Sequence, residues 1–358
     1  MTSVKVIGAG SIGNHLAHGC RQQGWDVTIV DLSEDALRRT QNMIFPSRYG
    51  RWDEAINLAT PAQLENKRFD IVIVGTPPAT HLAIATSELA HNPPELMLIE
   101  KPLSHPDAEA ISTFVKRAEK SPTRVLVGYN QRHKPSTLKF LDIARNSNLG
   151  QLTSLRSHML ESWDGILKAH FWMNSERDSY LAYTDQGGGA LLEHSHALNL
   201  FLYFAAELGH GEATSVRADM EWVGDDEGRY DRESSLFLTM ESGLIGEVKQ
   251  DLHTWPAVKQ AVADFVGGTV TWTMGDSSDS VRLEMNESES IETWDFPKTR
   301  PDDFRGEIEH LGILLAQPSL VSSLDLTAGL QVMEVALAAF ESAETGKSVD
   351  IKTTPSHR

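Results

Sequence analysis

The chain has 358 residues, of which 40% are apolar, 23% charged and 7% aromatic, and its net charge is −18. This composition is typical of a globular protein and excludes a disordered, collagen-like or disulfide-scaffold chain, and at roughly 150 residues per domain the length predicts about two domains. The excess of negative charge disfavours nucleic acid and anionic membranes as partners.

The cysteine content and the apolar runs predict a cytoplasmic protein. Cys20 is the only cysteine, which excludes an intramolecular disulfide and a thiolate metal cluster. We expect no signal peptide, because the N-terminus leads directly into a strand, and no membrane span, because no run reaches about 18 apolar residues. Residues 1–150 carry 17 basic and 15 acidic side chains, whereas residues 151–358 carry 15 and 35, which indicates two bodies with different tasks.

The first predicted elements are a strand at residues 4–7, a glycine-rich turn and a helix at residues 14–23. The turn reads Gly8-Ala9-Gly10-Ser11-Ile12-Gly13. A strand, G-x-G-x-x-G and a helix in this order predict a dinucleotide site: the first glycine permits the tight turn, the second lets the backbone approach a pyrophosphate, and the third allows close helix packing. Because the helix N-terminus presents free N–H groups to the phosphates, we assign Ser11 and Ile12 to the cofactor site with the three glycines.

An acidic residue ends the second predicted strand, residues 25–30. Asp31 lies 18 residues beyond Gly13, where a carboxylate accepts the ribose hydroxyls of an adenosine and repels a 2′-phosphate. The sequence therefore favours NAD over NADP. NADP stays the alternative, because Arg38 and Arg39 follow closely and could fold back towards a phosphate.

Three further apolar runs, at residues 69–75, 96–100 and 124–128, predict strands of a parallel sheet buried on both faces. Ligands bind at the carboxyl ends of such strands, so the residues that follow them are candidates for the cofactor site. From these positions we assign Thr76, Pro77, His81, Glu100 and Lys101. For His81, a local cap or packing role is the alternative.

Four ordered motifs resemble the signatures of the Gfo/Idh/MocA family, named for glucose-fructose oxidoreductase, inositol dehydrogenase and MocA. They are Gly8-x-Gly10-x-x-Gly13, Thr76-Pro77 with His81, Glu100-Lys101-Pro102, and Gly128-Tyr129-Asn130-x-Arg132 with Pro135. The C-terminal stretch at residues 326–349 is similar to the closing helix of the family. The resemblance implies an NAD(P)-dependent oxidoreductase with an open-faced sheet used for oligomerisation, and hence a homodimer or homotetramer.

After Gly150 the pattern changes to strands in series. Alternating segments predict strands at 151–160, 213–223, 234–240, 243–252, 261–274 and 280–285, and helical stretches lie at 187–207, 303–317 and 326–345. The predicted fold is α/β: an N-terminal doubly wound parallel sheet (Rossmann), followed by an α+β domain with a largely antiparallel, open-faced sheet. We expect a dinucleotide-binding domain at 1–128, a substrate-binding and oligomerisation domain at 129–330, and a C-terminal helix and tail at 331–358 that pack back on the body.

A triple glycine at 187–189 opens the most informative helical segment. At helical spacing, Glu193, His196 and Asn199 fall near one face. The segment resembles a Ser-His variant of the family in which the histidine lies one position earlier, and Asn199 stands where the family usually has aspartate. A neutral amide can orient the imidazole but supplies no charge to it.

The resemblance also implies the catalytic residues. In the family, the lysine of the Glu-Lys-Pro motif and the histidine of the second domain lie together at the nicotinamide end of the cleft. By that resemblance, His196 is the proton acceptor and Lys101 binds and polarises the reacting hydroxyl or carbonyl. Glu193, His194 and His196 do not present three ligands to one point on a straight helix, so we expect no metal.

Several aromatic and polar residues are candidates for substrate binding. Trp163 and Trp172 present flat faces suited to sugar C–H groups, although a core role is the alternative for both. The order of His158, Glu161 and Trp163 resembles the Ser-His variant, whose members often act on sugars linked to surface polysaccharide synthesis. The full predicted set comprises Tyr129, Arg132, Trp163, Tyr183, Glu193 and Asn199.

The predicted activity is hydride transfer between nicotinamide and a secondary alcohol or ketone of a small sugar, cyclitol or sugar derivative. Two alternatives stay open. One is a tightly bound NAD that is used transiently for elimination or glycoside cleavage. The other is a non-enzymatic, NAD-sensing regulator, against which the presence of both Lys101 and His196 argues.

Overall fold

The computed structural model describes residues 1–64, 67–168, 173–225, 228–287 and 290–352. The chain forms two compact units. The first consists of Met1–Gly128 and Phe304–Gly329, and the second of Tyr129–Asp303 and the chain from Leu330 onward. In the sequence analysis the segment 304–329 belonged to the second domain, whereas in the structure it groups with the N-terminal residues. Among the described residues, no helix is both long and apolar enough to cross a bilayer.

The first unit is built on a six-stranded parallel sheet. Its strands are β1 (Ser3–Ile7), β2 (Asp26–Val30), β3 (Ile56–Ala59), β4 (Ile71–Val74), β5 (Leu96–Glu100) and β6 (Arg124–Gly128). The strand order β3-β2-β1-β4-β5-β6 reverses direction at β1, as in a doubly wound dinucleotide-binding fold. Each residue of β4 and β5 is buried, as a sheet covered on both faces requires. The predicted Rossmann sheet is confirmed, although the sequence analysis missed the short strand β3.

Five helices connect these strands: α1 (Ser11–Gln22), α2 (Glu34–Arg39), α3 (Phe45–Tyr49), α4 (Pro78–His91) and α5 (Ala108–Ala118). A π-helical turn at Thr40–Ile44 joins α2 to α3 without a break. The side chain of Ser33 accepts a hydrogen bond from Ala36 N and caps α2, and Asp107 caps α5 in the same way through Ala110 N.

The second unit is built on a nine-stranded mixed sheet. Its strands are β7 (Leu152–Leu160), β8 (Ala213–Asp225), β9 (Gly228–Met240), β10 (Ile245–Asp251), β11 (Val258–Phe265), β12 (Gly268–Met274), β13 (Ser278–Met285), β14 (Ile291–Pro297) and β15 (Val349–Asp350). In the order β14-β13-β12-β11-β7-β10-β9-β8-β15, only the pair β7 and β10 is parallel. The predicted, largely antiparallel sheet of the second domain is confirmed.

The remaining helices are α6 (Pro135–Asn146), α7 (Trp163–Lys168), α8 (Ala190–Glu193), α9 (His196–Glu207), α10 (Asp302–Ala316) and α11 (Leu326–Thr345). α9 is buried along most of its length and packs on β7, β10 and β11. Most of α10 belongs to the first unit, where Phe304 stacks on His15 with 4.9 Å between ring centroids.

Two predicted elements of the second unit differ from the structure. The single strand predicted at 261–274 is the hairpin of β11 and β12, which turns at Val266 and Gly267. The single helix predicted at 187–207 is two helices, because the chain leaves the helical path at His194 and Ser195. The strand β14 was not predicted; its residues are exposed or half-buried, so it lacks the alternating apolar pattern of a strand.

Candidate active site

The glycine-rich turn between β1 and α1 has the geometry that the sequence predicts. Gly8 has φ +110°, and a Cβ on it would lie 2.6 Å from the carbonyl oxygen of Gly75. A Cβ on Gly13 would lie 2.0 Å from the carbonyl oxygen of Gly8, whereas a Cβ on Gly10 would meet no protein atom within 4 Å. Gly8 and Gly13 are therefore fixed by packing within the unit, and Gly10 faces open space.

Side chains from three elements hold this turn in place. Ala9 N donates to Asp31 Oδ2 at 2.9 Å, and Ala9 O accepts from the hydroxyl of Thr40 at 2.6 Å. Asn14 Nδ2 donates to Gly10 O at 2.7 Å. Gly10 is the N-cap residue of α1 and has no side chain, so the N–H groups of the first turn receive no side-chain cap. Backbone donors that are held rigidly and left without a cap fit an anionic phosphate.

The turn after β4 contains Thr76 and Pro77, and His81 lies buried behind it. The two ring nitrogens of His81 lie 2.7 Å from Thr76 O and 3.0 Å from Pro102 O. Burial lowers the pKa of His81 to about 4, and the charge of Lys101 acts in the same direction. The imidazole therefore lies between the turn after β4 and the turn after β5, and in its neutral form it donates to only one of the two carbonyl oxygens. Its place therefore fits the packing alternative better than direct contact with a ligand.

The motif after β5 combines a buried acid with a half-buried base. Glu100 is 7% exposed, and burial raises its pKa to about 7 against the opposing charge of Lys101. Glu307 of α10 is fully buried; burial raises its pKa well above the ordinary value, and the negative charge of Glu100 adds to this shift. Lys101 itself is half-buried at the carboxyl end of the sheet.

In the second unit, two buried side chains hold the break between α8 and α9. Asp231 Oδ2 accepts a hydrogen bond from Leu191 N at 2.7 Å, and the side-chain amide Nε2 of Gln250 donates to Leu191 O and His194 O at 3.0 Å each. Burial raises the pKa of Asp231 to about 7. A Cβ on Gly189 would lie 2.0 Å from Asp231 Oδ1, so this glycine is required where the carboxyl approaches the backbone.

The helix break leaves Glu193 and His196 half-buried, while every other residue from Ala190 to Leu202 is buried. Tyr180 donates its hydroxyl to Glu193 Oε2 at 3.1 Å. The ring of Tyr129 stands edge-on to that of His196 at 5.7 Å, and its hydroxyl donates to Ser195 Oγ at 3.4 Å. A half-buried imidazole or carboxylate of this kind can exchange a proton with a small molecule.

Asn199 and Arg132 form a separate buried pair. Arg132 Nε donates to Asn199 Oδ1 at 2.7 Å, and the guanidinium lies 4.6 Å from the centroid of the Tyr203 ring. Burial lowers the pKa of Arg132 to about 10. Both side chains are buried, so the arrangement ties α9 to the segment after Tyr129. The predicted shared face of Glu193, His196 and Asn199 is not formed, because the helix is interrupted between the first two residues.

Trp163 and Tyr183 pack around a small apolar cluster of the second unit. Trp163 Nε1 donates to the hydroxyl of Tyr230 at 3.4 Å, and the two rings stand edge to face. The cluster contains Leu181, Ala182, Ala190, Tyr230 and Leu252, with Tyr180 and Tyr183 packed against it. These contacts fit the core alternative for Trp163. Trp172 lies outside the described residues.

The structure thus brings together two groups of predicted site residues, each within its own unit. The first contains the glycine turn, Asp31 and Thr76, and the second contains Tyr129 and His196, whereas Glu193 contacts Tyr180 before the helix break. Sequence reasoning missed Asn14, Thr40 and Asp231, which hold these groups in place. A polar side chain four positions after Gly10, one helical turn along α1, was a usable signal for Asn14. An acid within an alternating strand gave only a weak signal for Asp231.

The comparisons with known proteins agree with this geometry. Residues 2–129 match a family model, that of the Gfo/Idh/MocA proteins, described as an oxidoreductase family with an NAD-binding Rossmann fold. This segment is similar to that family. The predicted family resemblance and the prediction of an NAD-binding oxidoreductase are confirmed, and so is NAD as the cofactor. The curated protein sequences contain no match to the chain.

Solved structures share the fold of this chain over nearly its whole length. Levoglucosan dehydrogenase in complex with NADH and levoglucosan has a TM-score of 0.79 at 17% identity, covering 99% of this chain and 100% of its own. GenD2 from gentamicin A biosynthesis, in complex with NAD, has a TM-score of 0.75 at 18% identity, covering 98% and 97%. An Agrobacterium radiobacter oxidoreductase in complex with NAD⁺, L-tartaric acid and magnesium has a TM-score of 0.74 at 18% identity, covering 98% of both chains. At these identities the likeness shows the fold.

Proposed function

We propose that the protein is an NAD-dependent dehydrogenase or reductase that acts on a secondary alcohol or ketone of a sugar, cyclitol or sugar derivative. Two side chains, Glu193 and His196, carry the proposal, because they are only half-buried on an otherwise buried stretch from Ala190 to Leu202. The fold it shares with levoglucosan dehydrogenase supports the substrate class.

The glycine turn and Asp31 fit the adenosine half of the cofactor. The N–H groups of Ser11 and Ile12 would hold the pyrophosphate, and Gly10 leaves the approach open. Asp31 Oδ1 accepts from Ser33 N and Oδ2 from Ala9 N, and each carboxylate oxygen retains a further lone pair for a ribose hydroxyl. The negative charge of Asp31 would repel a 2′-phosphate, which supports NAD over NADP.

In the proposed reaction the protein manages one proton. When bound, NAD supplies the hydride acceptor at C4 of its nicotinamide. His196 takes the proton of the substrate hydroxyl during oxidation and returns it during reduction. Lys101 binds the same oxygen and stabilises the negative charge that develops on it. Glu193, whose orientation is fixed by the Tyr180 hydroxyl, hydrogen-bonds a further hydroxyl of the substrate.

Two substitutions test these roles. Lys101→Ala and His196→Ala should each lower turnover by about 10²- to 10⁴-fold, because each removes a group that acts in proton transfer or charge stabilisation. The Kd for NADH, followed by nucleotide fluorescence, should change little. His91→Ala is the matched control, since His91 is an exposed histidine at the end of α4. Near-normal turnover of either variant with the true substrate would overturn its role.

The substrate is found by thermal shift. NAD and NADP are compared first, and sugars, cyclitols and nucleotide sugars follow with the preferred cofactor present, because a ligand of the native state raises the melting temperature with occupancy. The best ligand is then tested for turnover. Release of one NADH per substrate oxidised supports simple dehydrogenation. Product formation without net NADH would overturn it in favour of a cofactor that stays bound.

A further inference from the structure

The first turn of α1 contacts an arginine that the dinucleotide motif does not include. Arg48 of α3 donates from Nη1 to Ser11 O and from Nη2 to Ser11 Oγ, each at 2.7 Å. Ser11 is buried and directly follows Gly10, the residue that faces open space. A guanidinium therefore lies against the residue that directly follows the open position of the turn.

Aromatic contacts fix the position of Arg48 on α1. The neighbouring Tyr49 places its hydroxyl 2.6 Å from His15 Nδ1, and its ring stacks on that of His18 with 3.8 Å between centroids. Phe45 packs edge-on against Tyr49 and His18. Since three side chains of α3 contact α1 along successive turns, the arginine is held in one place and does not sample the surface freely.

One continuous helical segment, from α2 through the π-helical turn to α3, contacts the glycine turn twice. The hydroxyl of Thr40, at the start of the π-helical turn, donates a hydrogen bond to Ala9 O. Arg48, eight residues further along the chain, donates to Ser11 O. The same segment thus fixes the backbone of the turn and adds a cation to it.

The chemistry of the Ser11 hydroxyl indicates what this arrangement would bind. Because Ser11 Oγ accepts a hydrogen bond from Arg48, its own proton is available to an acceptor, and a phosphate oxygen is an acceptor that carries negative charge. Charge-assisted hydrogen bonds from arginine to phosphate are among the stronger polar contacts in proteins.

We propose that Arg48 and Ser11 form a phosphate-binding pair that contacts the pyrophosphate of NAD together with the backbone of the glycine turn. The proposal rests on NAD binding alone and is independent of the substrate and of the roles of Lys101 and His196. It places a specificity residue for the cofactor in the segment after β2, about 35 residues beyond the glycine motif.

The test compares the variants Arg48→Met, Arg48→Lys and Ser11→Ala with a control variant, Arg51→Met. Arg51 is an exposed arginine that follows α3, and its replacement changes the net charge by the same amount as that of Arg48. Calorimetry gives the Kd of NADH and of ADP-ribose, and displacement of bound NADH gives that of inorganic pyrophosphate. We expect Arg48→Met to weaken all three by about 10-fold or more, the loss typical of one charge-assisted hydrogen bond. Arg48→Lys and Ser11→Ala should fall between Arg48→Met and wild type, and Arg51→Met should stay within about 2-fold of wild type.

Three results would overturn the proposal. The first is an unchanged Kd for pyrophosphate in Arg48→Met. The second is an equal loss of affinity for adenosine, which has no phosphate, because this would mean that Arg48 only supports the fold. The third is a loss confined to NADPH, which would assign Arg48 to a 2′-phosphate. Melting temperatures of the free proteins identify a folding defect, and Arg48→Lys, which keeps the charge and most of the stem, then decides the outcome.

Discussion

Gly10 and Gly13 belong to the same motif, yet the structure predicts opposite effects when each is replaced by alanine. Gly10 has φ −86° and ψ −164°, a backbone conformation open to any residue, and its Cβ would meet no protein atom within 4 Å. Gly10→Ala should therefore leave the free protein as stable as the wild type, or stabilise it by about 0.4–1 kcal/mol through the unfolded chain. The added methyl group would occupy the space through which the pyrophosphate approaches.

Gly13→Ala introduces a clash within the protein. Its Cβ would lie 2.0 Å from Gly8 O, well inside van der Waals contact with an atom of the backbone. Such overpacking costs about 1–3 kcal/mol, which exceeds the gain in helix propensity from glycine to alanine of about 1 kcal/mol. Gly13→Ala should therefore melt earlier than wild type even without cofactor.

Thermal melting with and without NADH distinguishes the two effects. At a ligand concentration 100 times the wild-type Kd, binding stabilises the native state by about 2.7 kcal/mol. If Gly10→Ala raises the Kd about 100-fold, the same concentration stabilises it by only about 0.4 kcal/mol, so most of the NADH-induced shift disappears. The reasoning fails if Gly10→Ala retains the full shift, or if its free form is destabilised as much as that of Gly13→Ala.

Two further predictions concern the stability of the second unit. Burial raises the pKa of Asp231 from 3.8 to about 7. Ionisation of this carboxyl therefore lowers the free energy of unfolding as the pH rises from 4 to 7, by up to about 4 kcal/mol, and the loss stays constant above pH 7. Asp231→Asn should thus gain melting temperature relative to wild type as the pH rises from 5 to 7, and a difference independent of pH would contradict this. Lys134 Nζ lies 2.6 Å from Asp303 and 3.3 Å from Asp279 and is almost fully buried. Lys298 Nζ lies 3.0 Å from Asp279 and 2.7 Å from Asp303 and still compensates both carboxylates when Lys134 is removed. Lys134→Met should therefore cost about 1.5–3 kcal/mol in denaturant unfolding, as for a hydrogen bond to a charged group, whereas Lys139→Met, in an exposed pair, should cost less than about 1 kcal/mol; equal costs would refute the reasoning.

The dinucleotide-binding half could be predicted from sequence because each of its signals is local. A short apolar strand, the turn from Gly8 to Gly13 and the acid at Asp31 lie within 31 residues and agree with one another. The contacts that hold the turn were harder to find. Asp31 and Thr40 hold Ala9 through side chains that are distant in sequence, and no periodicity reports such a contact.

The helix break at His194 could not be predicted, because its causes lie far along the chain. Residues 190–207 are apolar enough for one continuous helix, and no proline interrupts them. Asp231 and Gln250, on two strands of the sheet, bind the backbone just before the break and at it. The same break separates Glu193 from Asn199, so the predicted common face depended on a helix that tertiary contacts interrupt.

The split composition of the first unit has a consequence for biosynthesis. In β6, Val127 N donates a backbone hydrogen bond to Leu324 O at 2.8 Å. The ribosome adds Leu324 almost two hundred residues after Val127. Phe304 and Ile308, which cover His15 and Gly19 of α1, also arrive late. Part of the apolar surface of the N-terminal sheet therefore stays uncovered until translation has passed the second unit, which lengthens the interval in which the nascent chain is prone to aggregate.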